Sequence, residues 1–328
     1  MIFCVILEKI STTMSKKKQD KTKQNITNVH DKFFKDSFSR LEVAQSFIEE
    51  LFPQELKEKI NLKDLKRISE SFIDGELEEY FCDIIYQTNL SNQETLVTLL
   101  FEHKSYTVPF PHIQLLQYIL NIWKQEIKDG KNTLSLVIPI VIHHGDKKWE
   151  YKSMKSYFVD LPQVLHSFIP DFDYLLFSLS DMADDQLISI KNVILSMSAM
   201  LLKHSHDEND EFLKLTPFWL EKLKELDAQQ QLDFIKSSLV YIQNAINLTN
   251  KEIPPIFTKV SNNVNDIAMT IADHIRAEER EIAVEFTTFQ HIKGLIEKGL
   301  DADLIADAFK IPIKKVQDII QKIKDSSN

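Results

Sequence analysis

The chain has 328 residues, 43% hydrophobic and 27% charged, a balance that fits a soluble globular protein with a sizeable core and excludes a disordered or fibrous one. Its five glycines leave no Gly-rich phosphate loop, since neither GxGxxG nor GxxxxGK[ST] occurs. A formal net charge of −10 excludes a generally basic, nucleic-acid-coating surface, although a local basic groove remains compatible with it.

At the head, Met1–Leu7 is apolar but shorter than the h-region of a signal peptide. Positions 1–28, with Lys16, Lys17 and Lys18 in a row, read as a disordered basic arm. No stretch approaches 18 uncharged apolar residues, so no membrane span is expected. Cys4 and Cys82 are the two cysteines. They predict neither a structural disulfide nor a thiolate metal site, and they suit a cytoplasmic setting.

Between Asp31 and Leu51 the apolar residues Phe33, Phe34, Phe38, Leu41, Ala44, Phe47, Ile48 and Leu51 recur at helical spacing, and Pro53 ends the run. A short helix is expected at Leu62–Lys66, then a strand and turn over Ser69–Glu79. Cys82–Leu90 and Thr95–Ser105 are strand-like and separated by turn-forming residues, which predicts a hairpin. Pro109 and Pro111 open a helix to about Lys128, stopped near Gly130.

Leu134–His143 reads as a strand covered on both faces, with Pro139 marking an edge position or a bulge. Beyond about Pro170 the pattern turns helical: Asp184–Lys203, Phe218–Leu226, Leu232–Leu248 and Val264–Ile296. Two short helices, Asp301–Ala308 and Pro312–Ile323, suggest a helix-turn-helix near 300–324 that carries Lys314, Lys315 and Lys322, although packing or self-association would produce the same pattern. The expected organisation is therefore an α/β domain over 29–170 and an all-helical extension over 171–328.

The chemistry-bearing residues cluster around the hairpin. On a strand, Leu100, Glu102 and Lys104 share a face while Phe101 and His103 take the other. The hairpin would bring Asp83 close to Glu102. Two adjacent carboxylates repel unless a cation lies between them, and a hard divalent ion such as Mg²⁺ or Mn²⁺ fits. The residues then suit phosphodiester cleavage, with Asp83 and Glu102 as metal ligands and Lys104 steadying developing charge. A charged strand end at the surface is the plainer alternative.

Gln114 and Tyr118, four apart on the next helix, face the same way. The order D…ExK…QxxxY resembles PD-(D/E)XK nucleases of the exonuclease-like branch. Six blocks then resemble, in order, the Rpn family of recombination-promoting nucleases, often labelled transposases. They are His30–Lys35, Ser71–Asp74, Asp83–Tyr86, Phe101–Ser105, Leu115–Tyr118 with Trp123, and Val137–Val141 followed by His143-His144-Gly145.

The resemblance covers roughly residues 30–165. It implies a PD-(D/E)XK restriction-endonuclease-like core, Mg²⁺-dependent DNA endonuclease activity linked to recombination, and catalytic roles for Asp83, Glu102, Lys104, Gln114 and Tyr118. Family members usually carry Arg where this chain has Gln114.

Lesser candidates read as structural. His103 faces away from the site, Asp31 is placed as a helix cap, and one of Glu42, Glu49 or Glu50 would complete a metal site. His143 and His144 are possible phosphate contacts, and His204, His206 and Asp207 read as a solvated loop. Two rival functions remain: a catalytically silent interaction module whose helical half binds protein, including another copy of the chain, and a true transposase, against which Lys104 counts.

Overall fold

The structure is a computed structural model, and it describes residues 29–68, 84–90, 96–246 and 260–325. The expected strand and turn over Ser69–Glu79, the basic arm over 1–28 and the hairpin's turn all lie outside these residues. A helix over 29–38 (α1) and a second over Leu41–Leu51 (α2) replace the single expected run. The apolar spacing continues in phase across Ser39–Arg40, which conceals the break. The stretch expected as a helix at Leu62–Lys66 is a 3₁₀ turn, Leu62–Asp64, leading into strand β1, Lys66–Ile68.

Strands β2 (Ile84–Asn89) and β3 (Leu96–Lys104) pair antiparallel, as the hairpin reading predicted. Pro111 opens helix α3 (Pro111–Lys128). Gly130, at φ +79, closes it in the left-handed conformation that glycine adopts without a Cβ clash. The chain returns as β4 (Leu136–His143), parallel to β3, because a helical crossover is what parallel neighbours require. β5 (Leu175–Ser178) adds a fifth strand parallel to β4, giving the order β1-β2-β3-β4-β5. Pro139 lies opposite Leu100 of β3, and β5 pairs only from Ile140 onward. β4 is an inner strand, yet its proline stands where the β5 side is still open, so the missing N–H disturbs only one ladder.

Helices cover both faces of the sheet. On one, Leu115, Tyr118 and Ile119 of α3 pack with Leu100, Val137, Val141, Trp149 and Tyr174. Each such buried side chain contributes roughly 1.5–3 kcal/mol. On the other face, α1 and α2 bring Phe34, Phe38 and Phe47 together, with ring centroids 4.4 Å apart (Phe34–Phe38) and 5.7 Å apart (Phe38–Phe47). Phe47 meets Phe101 of β3 at 5.6 Å and Phe177 of β5 at 4.8 Å. The Tyr86 hydroxyl donates to the Phe38 carbonyl at 2.7 Å.

The helices that follow are α4 (Val193–Lys203), α5 (Thr216–Ala228) and α6 (Leu232–Ala245). α4 is buried along its length because it lies among other helices. Asn192 caps it by accepting from the Leu195 N–H at 2.9 Å, and Glu50 of α2 accepts from the Lys191 N–H at 3.1 Å. Phe33 of α1 stacks on Tyr241 of α6 at 4.1 Å.

These contacts make one compact unit within Gln24–Asn265, with a second within Asp266–Asn328. Helices α4–α6 fall in the same compact unit as the sheet, joined to it through contacts such as Phe33–Tyr241 and Glu50–Lys191. The last helices are α7 (Asn262–Glu297), α8 (Ala302–Phe309) and α9 (Ile313–Asp325). Among the described residues no helix is long and apolar enough to cross a membrane.

Candidate active site

β3 ends in Leu100-Phe101-Glu102-His103-Lys104, and the pleat sorts these side chains as alternation requires. Leu100 joins the α3 core, whereas Phe101 and His103 face α1 and α2. His103 stacks on Phe34 at 4.7 Å. Glu102 and Lys104 therefore address α3, where the four-residue spacing of a helix places Gln114 and Tyr118 on one face.

Glu102 is 3% exposed, and several donors converge on its Oε1. Lys104 Nζ donates at 2.6 Å and Gln114 Nε2 at 2.9 Å, with the Tyr118 hydroxyl at 3.5 Å. Gln114 Nε2 also donates to the Tyr118 oxygen at 2.5 Å. The structure thus brings together Glu102, Lys104, Gln114 and Tyr118. Asp83 lies outside the described residues, and its neighbour Ile84 stands opposite Phe101. With side chains only 12% and 4% exposed, the Lys104–Glu102 pair is held in a poorly hydrated place. There a lone charge would cost several kcal/mol, so each partner depends on the other.

A surface hollow of about 470 Å³ leads to this cluster, bordered by Val108, Phe110, Ile113, Gln114 and Tyr118. A second hollow of about 240 Å³, lined partly by Lys148 and Lys152, shares Val108 and Pro109 with it. Lysines beside the approach to a carboxylate–lysine cluster suit an anionic substrate. Among the described residues no group of three His, Cys, Asp or Glu side chains could hold a metal ion. The donors present are oxygens. They fit a hard ion that retains most of its waters and fit a nitrogen- or sulfur-ligated one poorly.

The Lys104 backbone is fixed from β4. Its carbonyl accepts from the His144 N–H at 3.1 Å. Gly145 follows so closely against the β3–α3 loop that an added Cβ would sit 2.5 Å from the Ser105 carbonyl oxygen and 2.8 Å from His143 Nε2. Gly145→Ala is therefore expected to lower stability by about 1–3 kcal/mol through overpacking, measured as a shift of the urea midpoint. An unchanged midpoint would show that the loop can retreat.

His30, His103, His143 and His144 are buried rather than exposed to substrate. His143 and His144 are fully covered, so neither is a phosphate contact. His30, His103, His144 and His206 form a ring cluster, with centroids 4.8 Å apart for both His30–His144 and His103–His144 and 5.3 Å apart for His144–His206. Asp31 lies inside α1 instead of capping it, and its Oδ1 is 3.0 Å from His103 Nδ1. The segment expected as a solvated loop is a 3₁₀ turn, His204–His206, in which His204 bonds both Asp207 and Asp184.

Burial pushes the imidazoles down: His30 to about 3, His103 below the ordinary value despite the hydrogen bond to Asp31, and His144 well below it. Four distant segments build this cluster, and only the His143-His144-Gly145 run signals it in the sequence. Glu50 is committed to Ser46 and Lys191, while Glu42 and Glu49 are exposed on α2.

The family described as "Putative transposase, YhgA-like" matches residues 28–233. The chain is 23% identical over 189 residues to the inactive recombination-promoting nuclease-like protein RpnE of Escherichia coli strain K12, covering 57% of this chain and 62% of that protein. It is 29% identical over 119 residues to the recombination-promoting nuclease RpnD of Escherichia coli O157:H7, covering 36% and 46%. With the recombination-promoting nuclease RpnA of strain K12 the identity is 25% over 124 residues, covering 38% and 42%. The chain thus spans about half the length of these curated relatives. No solved structure matches it.

Proposed function

The chain belongs to the YhgA-like transposase family, and from that membership we propose that it is a metal-dependent DNA endonuclease built on a PD-(D/E)XK core. One observation carries the reading: Lys104, Gln114 and Tyr118 converge on a single oxygen of the buried Glu102 carboxylate. The names of the relatives RpnD and RpnA supply the nuclease class.

Asp83 and Glu102 are the proposed ligands of Mg²⁺ or Mn²⁺. The register supports their pairing, since Ile84 and Phe101, the sequence neighbours of Asp83 and Glu102, stand opposite each other. When bound, such an ion supplies Lewis-acid polarisation of the phosphoryl oxygen and a more acidic water. Lys104, on the same face of β3, presents its ammonium to the charge that grows on the phosphate as water adds and the P–O bond breaks. Gln114 fixes the orientation of the Glu102 carboxylate, and Tyr118 holds Gln114 in turn. The hollow beside Gln114 admits the strand, and Lys148 and Lys152 attract its phosphates.

A second reading has one finding behind it. The relative matched over the greatest length here, RpnE, is named inactive, so a fold that binds partners without cutting is the rival. Supercoiled plasmid distinguishes the two. With Mg²⁺ or Mn²⁺ the purified protein is expected to nick and linearise it, and EDTA or Asp83→Ala is expected to stop both reactions. Folded protein that leaves every DNA form intact favours the rival, and cutting that survives Asp83→Ala refutes the proposed site.

A further inference from the structure

The second compact unit ends in a three-helix arrangement that the nuclease reading does not use. Ile292 of α7, Ile305 of α8, and Val316 and Ile319 of α9 form its core, with Phe289, Ala306, Phe309 and Ile311 packed around them. α7 closes at Gly299, φ +81, where the Gly299 N–H reaches the Ile296 carbonyl and the Leu300 N–H reaches that of Leu295. α8 closes in the same way one helix later. The Lys310 N–H donates to Asp307 and the Ile311 N–H to Ala306, with Lys310 itself left-handed at φ 52, ψ 42.

That turn is what a helix-turn-helix needs. Eight residues of α8 are followed by a three-residue connection, 310–312, and then by α9. Glycine is usual in such a turn because φ is positive, and here a lysine adopts the conformation instead. Counted from Ala302, positions 4, 8, 10, 15 and 18 (Ile305, Phe309, Ile311, Val316, Ile319) are among the buried or half-buried apolar residues. This spacing packs two short helices across a tight bend and against a third.

The core consumes the apolar side of α9. Its outward side presents Lys314, Gln317, Asp318 and Gln321, at i, i+3, i+4 and i+7, all exposed. Lys310 in the turn and Lys315 are exposed as well. Positions 310–324 contain five lysines and one aspartate, in a chain whose net charge is −10. A face built to pack on protein would be apolar. A lysine and amide face suits a polyanion whose base edges offer acceptors and donors, and a helix 10–12 Å across fits a B-DNA major groove.

We propose that α9 is a DNA-recognition helix, entering the major groove of a duplex with Lys314 and Gln317 foremost, and that this unit binds DNA separately from the cleavage site. The test uses the full chain in EDTA, so that binding is read without cutting. Anisotropy of labelled 24-base-pair duplexes of several sequences, and of a single strand of equal length, is followed across a salt series for the wild type, Lys314→Glu and Gln317→Ala. Lys314→Glu is expected to weaken duplex binding about tenfold and to reduce the salt slope by roughly one. Gln317→Ala is expected to narrow the difference between duplex sequences while leaving the slope unchanged.

Both residues are exposed, so circular dichroism is expected to match the wild type. Duplex affinity untouched by either substitution overturns the proposal, as does a wild type that binds no duplex. Sedimentation showing that Lys314→Glu only dissociates an oligomer, with duplex affinity retained, assigns the face to protein and also overturns it. Plasmid cleavage plays no part in this readout, so a silent nuclease site would leave the result standing.

Discussion

Glu102→Gln is expected to abolish plasmid cleavage, with a loss of roughly 10³-fold or more. Removing a carboxylate that holds a catalytic ion costs several kcal/mol, and each 1.36 kcal/mol is a factor of ten. The substitution retains shape and a hydrogen-bonding oxygen for Gln114 and Tyr118, but it takes the charge partner from Lys104 and is expected to cost stability, so circular dichroism and the urea midpoint are read beside the rate. Losses at the other members of the cluster should be graded. Tyr118→Phe removes one hydroxyl that receives Gln114 and is expected to cost about 1 kcal/mol, or roughly five- to tenfold in rate. Gln114→Ala leaves Glu102 with one orienting donor fewer and belongs in the same range. Rates of nicking under single-turnover conditions give these values. Equal losses at Tyr118 and Glu102 would show that the cluster acts as a packing unit rather than as a ligand with its support.

The second large effect is acid instability. His30, His103 and His144 are held neutral in the folded chain, chiefly by burial. Around them stand His206 and His143, the carboxylate of Asp31, the Lys104 ammonium and the Tyr241 hydroxyl, which lies 2.8 Å from His30 Nδ1. In the unfolded chain each imidazole takes its proton near pH 6.5. Below that pH the unfolded state binds more protons than the native state, so stability falls with pH. The contribution is complete above about 6.5 and is lost progressively below it, for His30 down to about 3.

His30 alone implies a loss on the order of 2 kcal/mol between pH 7 and pH 5, and His103 and His144 add to it in the same direction. The same urea titration at both values checks it, and coincident midpoints would mean that the imidazoles are already charged in the folded chain. Replacing His144 with Gln should flatten the dependence, even if it lowers stability at pH 7.

How far the sequence carried this picture depends on the element. β3 and α3 were legible because alternation exposes Glu102 and Lys104 together, and because Pro111 and Gly130 mark both helix ends. β1 and β5, with three and four residues, are too short to show a period. The break at Ser39–Arg40 was hidden because the apolar positions stay in phase through it. Asp31 looked like a cap for lack of any local sign of its partner, His103, which is 72 positions away. The histidine cluster escaped for the same reason: burial of a polar ring is decided by long-range packing. The turn after α8 carries no glycine, and Lys310 adopts the left-handed conformation that closes it.

The central claim is that Glu102 serves as a metal ligand and is more than the partner of Lys104. Electron paramagnetic resonance of Mn²⁺ titrated into the wild type and into Glu102→Gln tests it without dependence on nuclease contaminants. Saturable loss of the free Mn²⁺ signal in the wild type, and little or none in Glu102→Gln, is the predicted result. Equal binding by both proteins, or binding by neither, would contradict the assignment and leave Glu102 as a buried ion-pair residue.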